Sequence, residues 1–154
     1  MRRSVHRVRW GVIAALLAGA GCSDASPGDF VGSWQYASGT ATVTCDGQTG
    51  TEPKTGTVTI ELSDLPNTDL IANGIDDGLG CPAYLSVDGD AAVLREGGCN
   101  QNGPPTWDET FESASVSLTG DNTAHVSSHV TVTNYISGMG VSCGVAIEAD
   151  IRKQ

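Results

Sequence analysis

Apolar residues alternate with threonine and serine along most of this chain, the pattern of strands with one buried face. Val58, Ile60 and Leu62 share one phase, and Thr57, Thr59 and Glu61 the other. Val126, Val130, Val132 and Ile136 alternate with His125, Thr131, Thr133 and Tyr135, and Val141, Val145, Ile147, Ala149 and Ile151 with Ser142, Ala146, Glu148 and Asp150. Valine and threonine suit a pleated surface because their branched Cβ is stiff there. The pattern predicts eight strands, near 31–37, 40–45, 55–62, 82–87, 91–96, 109–119, 123–136 and 141–151, and no helix after Cys22. Ser38-Gly39, Asp88-Gly89-Asp90, Gly120-Asp121-Asn122 and the segment 137–140 supply turns between them. Short links between successive strands make antiparallel neighbours. The expected fold is all-β: an up-and-down antiparallel barrel of about eight strands, with a β-sandwich as the alternative.

The first 21 residues read differently. Arg2, Arg3, Arg7 and Arg9 precede a short apolar run over residues 11–18, then Gly19-Ala20-Gly21 and Cys22. The run is far shorter than the ~20 residues of a membrane span. A basic start, a short apolar stretch and small residues at the cut make a secretory signal. A cysteine directly after that cut resembles the lipobox of bacterial lipoproteins, although Gly19 stands where that family usually has leucine. The resemblance implies cleavage before Cys22 and acylation of Cys22, hence an exported chain anchored in a lipid bilayer of the cell envelope. Ser23 after the cysteine implies the outer membrane, at its periplasmic or surface face. The domains expected are 1–21 as signal, 22–29 as lipidated linker and 30–154 as the barrel.

Charge narrows the partners. All 18 acidic residues follow Cys22, whereas only Lys54, Arg95, Arg152 and Lys153 remain among the bases. A surface this acidic repels nucleic acid. Asp64, Asp69, Asn73, Asp76 and Asp77 are candidate oxygen donors for Ca²⁺, but their spacing departs from the EF-hand loop and no cofactor is expected. His125 and His129 share a strand face about 13 Å apart, too far for one ion. The chain lacks a Gly-x-Ser-x-Gly elbow, a His-Glu-x-x-His pair and a phosphate loop, so no enzyme is expected.

Gly32-Ser33-Trp34 resembles the Gly-x-Trp signature on the first strand of lipocalins. The resemblance implies a lipocalin-like barrel in which Trp34 closes the base and a basic residue near the end of the barrel, Arg152, packs over it. The second lipocalin motif, Thr-Asp-Tyr, is missing.

Setting Cys22 aside leaves four of the five cysteines, an even number suited to an oxidising compartment. Folding the 82–96 hairpin about Gly89 brings Cys81 opposite Cys99, within reach of a disulfide. Cys45 and Cys143 remain as a pair. Strict alternation of eight strands, however, sets them at opposite rims.

The same alternation puts the 46–54 loop and the turns at 88–90 and 120–122 at the anchored end. It puts 38–39, 63–81, 97–108 and 137–140 at the far end, where Trp107 is a candidate contact. Two functions follow as expectations. One is a small apolar ligand held in the barrel, favoured by small inward residues. The other is an envelope interaction or adhesion module working through loops 63–81 and 97–108. An inhibitor-like protein is a third possibility that size and acidity allow.

Overall fold

A computed structural model of the chain describes residues 24–76, 80–101, 106–136 and 139–154. Cys22 and the segment 1–21 expected to be a signal lie outside the described residues. One helical turn, α1 (Pro27–Phe30), precedes nine strands: β1 (Gly32–Cys45), β2 (Gln48–Pro53), β3 (Thr57–Leu62), β4 (Leu70–Asn73), β5 (Ala83–Asp88), β6 (Ala91–Gln101), β7 (Thr106–Gly120), β8 (Thr123–Ile136) and β9 (Met139–Lys153). All pairings are antiparallel. The order β1-β3-β4-β5-β6-β7-β8-β9 closes through β1–β9 into an eight-stranded barrel, and β2 adds to β1 as an extra strand. The β1–β9 pairing joins the edges that an open sandwich leaves exposed, and β2 alone keeps a free one among the described residues.

The two strands expected at 31–37 and 40–45 are one. Ser38-Gly39 is a bulge, with the register against β9 shifting between Tyr36 and Ser38. The bulge admits only glycine: at φ +140° a Cβ on Gly39 would lie 2.2 Å from the Ala149 Cβ. The chain bends here against its neighbour instead of reversing. Reversal comes seven residues later, at Asp46-Gly47, where positive φ at both positions (48° and 76°) matches a two-residue type I′ hairpin.

This merger moves the rims. The 46–48 hairpin lies at the far end, with the start of β9, rather than at the end from which the chain enters. Cys45 thereby falls directly opposite Cys143 in the β1–β9 ladder, and the two are bonded with Cα atoms 4.4 Å apart. The conflict read from the sequence came from counting one long strand as two. Cys81–Cys99 forms as expected, at 5.4 Å between Cα atoms.

The long loop expected at 63–81 is also interrupted. β4 runs through it, burying Leu70 and Ala72 completely. Residues 63–69 thus turn at the proximal rim, and only residues after Asn73 reach the distal rim.

Inward positions pack the barrel. Trp34, Val58, Ile60, Leu85, Val116, Val126, Val130, Ile147 and Ile151 are among its fully or almost fully buried side chains. Phe30 from α1 closes the proximal base, where the Trp34 Nε1–H donates to the Phe30 carbonyl at 2.8 Å. The basic residue over Trp34 is Lys153, not Arg152. Trp34 pairs with Lys153 in the ladder, and the ammonium lies 5.3 Å from the ring centroid. Period two explains the correction: Ile151 and Lys153 share the inward phase, and Arg152 points out to solvent. Lys153 Nζ also donates to the Asp29 carbonyl at 3.1 Å, tying α1 to the last strand.

Candidate functional site: the distal end of the barrel

The barrel is closed by eight strands only over its proximal part. Distally, β4 ends at Asn73 and β5 starts at Ala83, which pairs with Gly97. Beyond that level the wall consists of β6, β7, β8, β9, β1 and β2.

Two rows of inward residues mark the transition. The lower row runs across adjacent strands through Cys45, Cys143, Val132, Glu109 and Cys99. Each disulfide supplies one end of this row. Glu109 between them is 3 % exposed. The upper row runs Val141, Asn134 and Trp107. Trp107 packs partly buried against the core, and the Asn134 Oδ1 is buried without a hydrogen-bond partner. Val141 is exposed.

Residues 74–76 fill the mouth of the closed section. Ile75 and Asp76 are completely buried. The Tyr36 hydroxyl donates to the Gly74 carbonyl at 2.8 Å, and the Ser128 hydroxyl to the Ile75 carbonyl at 2.6 Å. The Asp76 Oδ2 accepts the amides of Gly80 (2.5 Å) and Cys81 (3.0 Å), while its Oδ1 has no hydrogen-bond partner. The Lys54 ammonium donates to the Asp76 carbonyl and lies 5.4 Å from the Tyr36 ring centroid. Burial, then the Asp76 charge, pushes the Tyr36 hydroxyl well above the usual phenol range, so Tyr36 acts as a hydrogen-bond donor at every physiological pH.

These contacts make the mouth a plug. Small inward residues had favoured a hollow barrel, but Ile75 adds a side chain from the 74–76 segment to an interior that the strands already line with buried residues. Open depressions lie on the surface. One of about 630 Å³ at the proximal rim is lined in part by Asp24, Asp29, Asp90, Asp121 and Lys153. One of about 250 Å³ beside the distal hairpin is lined by Val43, Gly50, Thr51 and Glu52.

The other candidate residues separate. The proposed Ca²⁺ donors are split by β4: Asp69 is proximal, accepting the Val87 amide at 2.8 Å, whereas Asn73 and Asp76 are distal and Asp77 lies outside the described residues. No group of three or more His, Cys, Asp and Glu side chains able to hold a metal occurs among the described residues. His125 and His129 stand on the outer face. Asp150 and Glu148 bind the two nitrogens of His125 at 2.9 and 3.0 Å, and these hydrogen bonds hold its pKa above the ordinary imidazole value. His129 pairs with Glu112 at 3.0 Å.

Sequence reading missed Glu109, Lys54 and Asn134 as site residues, and offered Asp76 only as a Ca²⁺ donor. Glu109 was accessible to it, because it shares the phase of Trp107 and Phe111 on β7. Asp76 and Lys54 were not, because their places depend on where the plug folds.

No family model and no curated protein matches this chain. Among solved structures, a protein of unknown function from the DUF3598 family of Nostoc punctiforme is similar at 13 % identity and a TM-score of 0.35, over 82 % of this chain. The chain spans about half the length (49 %) of that protein.

Proposed function

We propose that this chain is an exported, lipid-anchored, non-enzymatic module that binds an envelope protein through the distal end of its barrel. One observation carries the reading: above the plug the wall continues on one side only, presenting Trp107, Asn134 and Val141 on an inner face that neither β4 nor β5 crosses. A half-buried aromatic beside polar groups is the composition of a binding anchor. The filled, plugged interior turns the choice away from a small apolar ligand held in the barrel.

Cysteine pairing supports the anchor. Four of the five cysteines are used in two disulfides, which leaves Cys22, the lipobox cysteine, for acylation. Two disulfides also fit an oxidising, exported setting.

The test is photo-crosslinking in intact cells with a benzoylphenylalanine at Trp107 or, as the proximal control, at Asp121. Protein adducts from position 107 but not 121 are expected. A reproducible small-molecule mass in native spectra of the full chain, without adducts at 107, would replace this reading with the barrel-ligand one.

A further inference from the structure

The distal hairpin leaves one strand unfinished. Among the described residues β2 hydrogen-bonds β1 alone, and Gln48–Pro53 are all exposed. The tight turn at Asp46-Gly47 makes Cys45 and Gln48 a hydrogen-bonded pair. Alternation along an antiparallel ladder then aims the backbone groups of Thr49 and Thr51 away from β1, together with the Pro53 carbonyl. Proline sits where only an outward N–H is lost, as edge strands permit.

This edge is held ready. The I′ turn and the Cys45–Cys143 disulfide fix the turn end of the hairpin. Hydroxyl contacts Thr44–Thr49 (3.0 Å) and Thr42–Thr51 (3.3 Å) lace its outer side. A strand already ordered loses little entropy on gaining a neighbour. Edges that stay monomeric are usually defended by lysine, inward charge or a covering element. Lys54, the base next to this edge, is instead turned into the plug. On the inner side the depression of about 250 Å³ lies beside Gly50, where a Cβ would meet nothing within 4 Å. Glu52 and Asp46 are exposed on the hairpin, and the chain as a whole carries a charge of −10.

We propose that the free edge of β2 is a strand-addition site. Its occupant is an extended segment of a partner protein that carries an apolar residue over Gly50 and a lysine or arginine beside Glu52. The inference rests on the distal-end reading and names the kind of partner. Main-chain bonds to Thr49 and Thr51 supply register, and the alternate side chains supply selectivity. A second copy of this acidic chain would bring like charge against like charge.

The experiment titrates the full chain, labelled for amide NMR, with synthetic peptides of alternating threonine and valine bearing either lysine or glutamate on the valine face. The lysine peptide is expected to shift the Thr49 and Thr51 amides and slow their exchange, and to bind roughly tenfold tighter than the glutamate peptide. Thr51→Pro removes an outward N–H and no bond to β1, and is expected to weaken the lysine peptide roughly tenfold. Unchanged Thr49 and Thr51 amides, equal binding by folded Thr51→Pro, or self-association of the chain through this edge would overturn the proposal. Should Thr51→Pro fail to fold, amide exchange in the wild-type chain decides. Crosslinks at position 107 with a silent β2 edge sink strand addition and keep the distal-end reading, whereas silence at both sinks the two together.

Discussion

The two disulfides close very different lengths of chain, and their removal should cost accordingly. Cys45 and Cys143 are 98 residues apart in sequence, Cys81 and Cys99 only 18. In the chain-entropy model a cross-link removes freedom from the unfolded chain as the logarithm of the loop, which gives about 4.7 kcal/mol for the long loop and about 3.2 kcal/mol for the short one. The native ladder already places Cys45 opposite Cys143, so the reduced pair needs no rearrangement to keep its register. Paired alanine variants, Cys45→Ala with Cys143→Ala and Cys81→Ala with Cys99→Ala, isolate each loop. At the size of this domain 1 kcal/mol moves Tm by roughly 3 °C, so losses of about 14 °C and about 10 °C are expected. Urea unfolding at fixed pH, with m compared across the variants, reads the free energies directly. The reasoning fails if loss of the short loop costs clearly more than loss of the long one at equal m. In that case the plug held at Cys81, and not loop closure, would be setting stability.

Two further outcomes test the fold. Gly39→Ala should destabilise the barrel by more than about 3 kcal/mol, because the new methyl meets Ala149 at a φ that L residues avoid. A tolerated alanine, seen as an unchanged urea midpoint, would mean that β1 does not run unbroken past Ser38. The His125 network should show in the pH dependence of stability. Hydrogen bonds donated to Asp150 and Glu148 raise the imidazole pKa, so its stabilisation is fully present below the unfolded value near 6.5 and fades as pH rises through the raised folded value. The carboxyl groups of Asp150 and Glu148 are lowered, chiefly by hydrogen bonds from His125 and Ser127 respectively, so their share fades as pH falls through their depressed values. The Tm advantage of wild type over His125→Gln should therefore be larger at pH 6 than at pH 9. A constant difference across that range would contradict it.

The barrel was legible in the sequence because its signal is local and repeated. Period-two alternation over β3, β8 and β9 specified class, direction and inward phase, and the same phase assigns Lys153 to Trp34 once it is followed two residues past Ile151. The errors arose at glycine. Ser38-Gly39 and Asp46-Gly47 are both turn dipeptides, yet the first is a bulge. What separates them is the close approach of Ala149 to Gly39, a contact between residues 110 positions apart that no local pattern carries. Asp46-Gly47, by contrast, is a strong two-residue hairpin signal and was open to reading. β4 was hidden by its length: four residues with two buried side chains fall below what periodicity can distinguish from loop. The plug is the least local feature. Gly74 and Ile75 are held by Tyr36 and Ser128 from opposite ends of the chain.

Placing the hairpin at the distal rim also orients the proposed module. α1 is fixed to the proximal base by Phe30 and by the Lys153 bond to Asp29. Between Cys22 and Pro27 lie a handful of residues, which span no more than about 17 Å even when extended. Under this proposal an acyl group on Cys22 would keep the proximal rim at the bilayer and turn Trp107 and the β2 edge away from it. That rim carries Asp24, Asp29, Asp90 and Asp121 around one depression. Such a face gains nothing by lying on anionic headgroups. In the proposed module tether and charge would act together: the lipid would limit the distance, the carboxylates would prevent contact, and the barrel would stand upright with its unfinished strand edge reaching outward.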